Sequence, residues 1–267
     1  MPMKARQWLL SSAGSAVPRL ISMVFAGMAA ALFFASAVFQ QRASHARWVT
    51  ALETQGPDSL SIESHEYDYY LPIAGYIPLP DTGVPLGIGL MLQSAGVFML
   101  LLCLLSAARP SDKIMLSLQL LLGLLVIPGY AIIGDNAIRS ELAGVPADLN
   151  WSSPVLLTTE FAFVPLIALC VLCWRWFPVL AVACFFLLGT TILGNIIIYL
   201  LVAPLVTGYT SHDTTPGTET IMALSTAAAG VAMLVVIFAL ISRRRGLRAN
   251  ALTAGIAAGA TNNPPAG

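Results

Sequence analysis

Six apolar runs dominate the chain: Leu20–Phe39, Val84–Ala107, Ile114–Gly134, Pro154–Cys173, Phe177–Ala203 and Thr220–Ser242. A helix needs about 20 apolar residues to cross a hydrocarbon core about 30 Å thick, and each run meets that length. Unpaired backbone groups in lipid cost several kcal/mol each, so each run predicts a helix. The pattern predicts an all-α polytopic membrane protein, with six transmembrane helices within residues 1–242. The first run holds 20 uncharged residues and is followed by Gln40-Gln41-Arg42, so it reads as a retained span rather than a cleaved leader.

Composition strengthens the class. Of 267 residues, 57% are hydrophobic and 10% charged, against about 25% charged in a soluble domain. The net charge of zero conceals an asymmetry along the chain. With the N-terminus in the cytoplasm, that side collects Lys4, Arg6, Arg19, Arg109, Lys113, Arg175, Arg243, Arg244, Arg245 and Arg248. The opposite side keeps Arg42, Arg47 and Arg139, all three histidines (His45, His65, His212) and every acid except Asp112. The excess of Lys and Arg places both termini in the cytoplasm. Trp8, Trp174 and Trp176 fall at the inner boundary, and Trp48, Trp151, Tyr130 and Tyr199 toward the outer one, as an aromatic belt.

The loops are unequal. The first outer loop, Gln40–Gly83, spans 44 residues and is enlarged, yet too small for a core of its own. It opens with helical character, passes through Ser61–Tyr70 as a candidate strand pair, and closes on a proline-rich run. The other outer loops, Asp135–Ser153 and Pro204–Glu219, are shorter. The tail, residues 243–267, begins R-R-R-G-L-R and reads as disordered beyond it.

Polar groups inside spans carry the candidate chemistry. Glu160 lies about 9 Å below the outer end of the fourth span at 1.5 Å per residue, with Asn195 and Gln93 at similar depth in the fifth and second. Asp135, Asn136 and Arg139 sit at the outer end of the third. Converging, these six form an outer-half pocket floored by a carboxylate; otherwise Glu160 is neutral or paired with Arg139, and the amides join helices. Arg243, Arg244, Arg245 and Arg248 are either a topology signal or a contact for anionic phosphoinositides.

Other signals read blandly. No H-x-x-x-H spacing supports a metal site, and no phosphate loop, nucleophile motif, cofactor signature or nucleic-acid-binding signature occurs. Cys170-x-x-Cys173 lies in an apolar helix and reads as small hydrophobes. Asn150-Trp151-Ser152 matches a glycosylation sequon too close to a span for ready modification.

In the proline-rich run, Asp81-Thr82-Gly83 predicts a turn with Gly83 free to take positive φ. Pro85 suits the first turn of the helix that follows. Pro78, Pro80, Asp81, Thr82, Gly83 and Pro85, followed by an apolar span, resemble the signature before the second span in the DRAM/Frag/Sfk family. These are six-span eukaryotic membrane proteins with cytoplasmic ends. The resemblance implies a non-enzymatic, regulatory protein linked to autophagy and lysosomes, to GPI-anchor lipid remodelling or to phosphoinositide kinase recruitment. It supplies no catalytic residues.

Three functions follow in order. The first is a membrane protein that organises lipid or trafficking, in the plasma membrane or in Golgi or lysosomal membranes. The second is a small-solute or proton-coupled transporter using Glu160 and Asn195. The third is an enzyme acting on lipid at the outer face through acids such as Glu66, Asp68 or Asp135.

Overall fold

The structure, a computed structural model, describes residues 16–51, 53, 78–107, 113–147, 158–209 and 214–260. Most of those residues are helical, with no strand among them. In chain order the helices are α1 (Ala16–His45), α2 (Gly83–Ala107), α3 (Lys113–Ala143), α4 (Phe163–Trp176), α5 (Pro178–Leu187), α6 (Ile192–Ile197), α7 (Ala203–Thr207) and α8 (Thr218–Ala260). A π-helical turn, Ala46–Thr50, prolongs α1; a 3-10 turn, Leu188–Thr190, follows α5; another π turn, Ile198–Val202, joins α6 to α7.

Among the described residues, four helices are long and apolar enough to cross a membrane: Leu20–Thr50, Gly83–Ala107, Ile114–Ala143 and Thr218–Ser242. The pair Pro178–Thr190 and Ile192–Thr207, bent by 72°, adds a fifth if it is one span, and Phe163–Arg175 is a shorter apolar helix. The expectation of six full spans is therefore met by four or five. The second run forms its helix as expected. The third continues to Ala143, so Asp135, Asn136 and Arg139 lie on helix rather than in a loop. The fifth is not continuous: it breaks at Leu188–Thr191, where Thr191 is extended at φ −91° and ψ 167°. Before α4, one helical turn at residues 158–160 is separated by a turn at 161–162, so Glu160 precedes the main helix. At the end of the chain, α8 continues through the arginine cluster to Ala260, where the sequence suggests disorder. The candidate strand pair, the sequon, His65 and His212 lie outside the described residues.

Neighbouring helices run antiparallel. On α1 and α2, Ser22 Oγ meets Ser106 Oγ at 2.8 Å at one end, and Ser36 Oγ donates to Gly89 O at 2.6 Å nearer the other. On α2 and α3, Gly87 and Gly134 face each other so closely that a Cβ on either would strike the other's carbonyl. Gly129 on α3 likewise faces the Thr158 carbonyl at 2.6 Å from an added Cβ, with Ala162 beside it. Lipid tails are as apolar as leucine, so such close backbone contact, rather than hydrophobic burial, holds membrane helices together. Large side chains such as Val24, Phe98, Leu121, Val164, Phe185 and Phe238 point outward, as lipid-facing positions require.

Alternation of helix direction puts every described acid at one end of the bundle: Glu53, Asp81, Asp135, Glu141, Glu160 and Glu219. Two connections tie that end. Arg47, stacked 4.8 Å over the Trp48 ring, pairs with Glu219, and Trp48 Nε1 donates to the other Glu219 oxygen at 2.5 Å. Glu141 accepts from the Asp81 and Val84 amides at 2.8 and 2.5 Å. It thereby satisfies orphan N–H groups at the start of α2 and places a carboxylate at the positive end of its dipole. The entry turn differs from expectation in one residue. Asp81, at φ 62°, holds the left-handed conformation instead of Gly83, which aspartate tolerates better than most residues. Thr82 Oγ1 closes the turn on Leu79 O at 2.6 Å.

Candidate functional site

The break in the fifth run coincides with a buried polar hub. Breaking a helix in lipid frees carbonyls and amides that need partners from neighbouring helices. Tyr130 Oη on α3 donates to Leu187 O at 2.9 Å, and Ser225 Oγ on α8 donates to Phe186 O at 2.5 Å. Thr190 Oγ1 reaches back to Leu187 O at 2.9 Å, and Thr191 Oγ1 to Leu188 O at 2.7 Å. The chain then restarts with Thr191 as N-cap, its hydroxyl accepting from Gly194 N at 3.3 Å. Only glycine fits at 194, since a Cβ there would strike Leu188 O.

From the break the hub extends across the bundle. Gln93 Nε2 donates to Thr190 Oγ1 at 2.5 Å, and Gln40 Nε2 donates to Gln93 Oε1 at 2.8 Å and to Ser36 Oγ at 2.9 Å. Thr226 Oγ1 lies 3.3 Å from both glutamine oxygens. Ser36, Gln40, Gln93, Tyr130, Thr190 and Thr226 are each at most 1% exposed. The hub thus joins α1, α2, α3, α8 and the broken run, at Gln93 about 15 Å below the start of α2. Interhelical hydrogen bonds in membranes average about 0.6 kcal/mol, while an orphaned buried partner costs about 1–3 kcal/mol. The hub's principal effect is therefore on which arrangement of helices is allowed.

The six predicted pocket residues divide. Gln93 belongs to the hub. Asp135 and Arg139 pair with each other across one helical turn at 2.9 Å, on an exposed face; Arg139 is not the partner of Glu160. Asn136 is 1% exposed, with Oδ1 accepting from Ser140 Oγ at 3.4 Å and Nδ2 without a partner. Asn195 is 6% exposed. Glu160 is half-buried. Among the described residues, neither the Asn195 nor the Glu160 side chain makes a hydrogen bond or ion pair.

Sequence reasoning assigned Tyr130 to the aromatic belt; it is instead buried in the hub. It did not single out Ser36, Gln40, Thr190 or Thr226. The available signal was Ser36 and Gln40, four residues apart and hence on one helical face. Of the remaining candidates, Arg243, Arg244, Arg245 and Arg248 lie on the backbone of α8 beyond the apolar stretch. Cys103, Cys170, Cys173 and Cys184 are free thiols. No metal-binding group of three or more His, Cys, Asp or Glu occurs among the described residues.

Compared with protein-family models, curated proteins and solved structures, the chain gives no significant match. The likeness to the DRAM/Frag/Sfk family rests on the entry turn and the hydropathy pattern.

Proposed function

We propose that this chain is a non-enzymatic, multi-pass membrane protein that organises lipid or trafficking in the membrane it occupies. Six crossings with both termini in the cytoplasm are part of this reading: α4 serves as a short span, and the bent pair as one crossing. The observation that carries it is the fate of Gln93. It is one of the six residues of the sequence-predicted pocket, and its hydrogen bonds go to Gln40, Thr190 and Thr226. With Asp135 and Arg139 paired at the surface, three of the six predicted pocket residues are engaged away from any shared aqueous cavity. The basic stretch of α8 supplies the second element, since each Lys or Arg near an anionic leaflet contributes about 1 kcal/mol of attraction. A plasma-membrane, Golgi or lysosomal location follows the same reading.

The test is lipid co-purification from cell membranes. Wild-type protein should retain anionic phospholipid, including phosphoinositide, and the quadruple change of Arg243, Arg244, Arg245 and Arg248 to alanine should lose most of it. Equal retention by both would contradict the proposal.

One observation favours a transporter. Discontinuous helices form substrate and ion sites in secondary transporters, and the 72° break lies in the same run as Asn195. Proteoliposomes would then show solute or proton flux that Glu160→Gln abolishes.

A further inference from the structure

We infer that the segment after the break, Ile192–Thr207, lies across a single leaflet as a wedge, and that the protein therefore favours membrane whose acid-end leaflet is convex. The partner is the acyl region of that leaflet. The inference rests on reading the bent pair as one crossing, and it adds a shape preference to the lipid-organising role.

The depth of the break follows from the hub. Gln93 of α2 and Tyr130 of α3 both contact Thr190, directly before the break. From Gln93 to Ala107 is about 21 Å, and from Tyr130 to Ile114 about 24 Å, at 1.5 Å per residue. A hydrocarbon core about 30 Å thick therefore leaves about 6–9 Å of apolar depth between the break and the acid end. α5 packs along α4 and α8, and so follows the bundle. Departing from it at 72°, a segment about 24 Å long climbs only about 7 Å and runs about 23 Å sideways. It stays in the third of the core nearest the acid end.

The two sides of the segment agree with that placement. Asn195, Ile198 and Ala203 face the bundle and are buried. Thr215 Oγ1 donates to Tyr199 O at 3.0 Å, which pins the middle of the segment beneath the entry to α8. Ile197, Leu200, Leu201, Leu205 and Val206 point away, with Leu205 86% and Val206 71% exposed. Their spacing makes one helical stripe, and no charge interrupts residues 192–207. Such a face suits hydrocarbon. The segment ends where Gly208, at φ 70°, turns the chain and Tyr209 is exposed, an aromatic suited to the membrane–water boundary.

The opposite end of α5 has no such extension, since α4 passes to α5 through Phe177 alone. The broken run thus adds apolar bulk to one leaflet. Helices lying within one leaflet are sensitive to curvature, because their bulk is best accommodated where that leaflet is stretched.

The test uses the full-length protein, tagged with a fluorophore at its C-terminus, in giant phosphatidylcholine vesicles from which narrow tubes are pulled. α8 runs away from the acid end, so the tag and the wedge lie on opposite sides of the membrane. Molecules whose tag is shielded from an impermeant quencher carry the wedge in the outer, convex leaflet of the tube. These should be enriched in the tube over the flat membrane, and molecules of the other orientation depleted. Joint Ile197→Ala, Leu201→Ala and Leu205→Ala should abolish the enrichment. Phe238→Ala, which is also lipid-facing but lies far from the acid end on α8, should keep it. A fluorescent noncanonical amino acid at Leu205 should be quenched more by lipids brominated near the headgroup than by lipids brominated near the chain ends. Equal distribution of the two wild-type orientations overturns the inference, as does a Leu205 probe that escapes lipid quenching because a second copy of the chain covers it. The lipid-organising reading would survive either result if the arginine changes still removed anionic lipid.

Discussion

The hub and a second set of polar groups, the seam of Glu160, Asn195 and Asn136, are both polar, yet their groups are used differently. In the hub, hydroxyls, glutamine amides and freed carbonyls find partners on other helices. At the seam, Glu160, Asn195 and the Asn136 nitrogen have none among the described residues. The hub uses only neutral groups, which a bundle can satisfy internally at little net cost. The seam contains the acid. A neutral network fixes the helices; an unmatched carboxylate calls for something from outside the chain, or for a proton.

The contrast can be broken from the hub side first. Gln93→Leu leaves Gln40 and Thr190 without their shared partner, and should destabilise the bundle by about 2–4 kcal/mol, read as a lowered midpoint in denaturant unfolding in detergent. Tyr130→Phe removes a single hydroxyl from the Leu187 carbonyl and should cost about 1 kcal/mol; Thr190 still reaches that oxygen. From the seam side, Glu160→Gln should leave the unfolding midpoint unchanged, because no internal partner is lost. A large destabilisation by Glu160→Gln would erase the distinction between the two regions. The smallest effect is expected for Arg139→Ala, within about 0.5 kcal/mol, since its pair with Asp135 is exposed and screened.

Much of the architecture was legible in the apolar runs. The second begins and ends almost where the run does, and the first needed only its helical flank, Gln40–Thr50, added. The break was not legible. Leu188–Asn195 reads L-G-T-T-I-L-G-N, which is uncharged throughout, and glycine and threonine are common in membrane helices. The partners that satisfy the freed carbonyls, Tyr130 and Ser225, are distant in sequence. Gln40 was misread for a related reason. It follows the first apolar run and looks like a flank, but the helix continues past it and buries it. Glu160, Asn195 and Asn136 were visible as isolated polar letters; only the structure separates them from Gln93, which is occupied, and from Asp135 and Arg139, which face outward.

The hub depends on the bend, which exposes the carbonyls that the hub satisfies. The most direct test is a pulsed electron-spin distance between labels at Val182 and Leu205, which lie on either side of the break. Helical segments meeting at the observed 72° predict about 27 Å between backbone positions, from a rise of 1.5 Å per residue. A straight helix gives about 35 Å, and a distribution centred there would contradict the broken span and, with it, the hub.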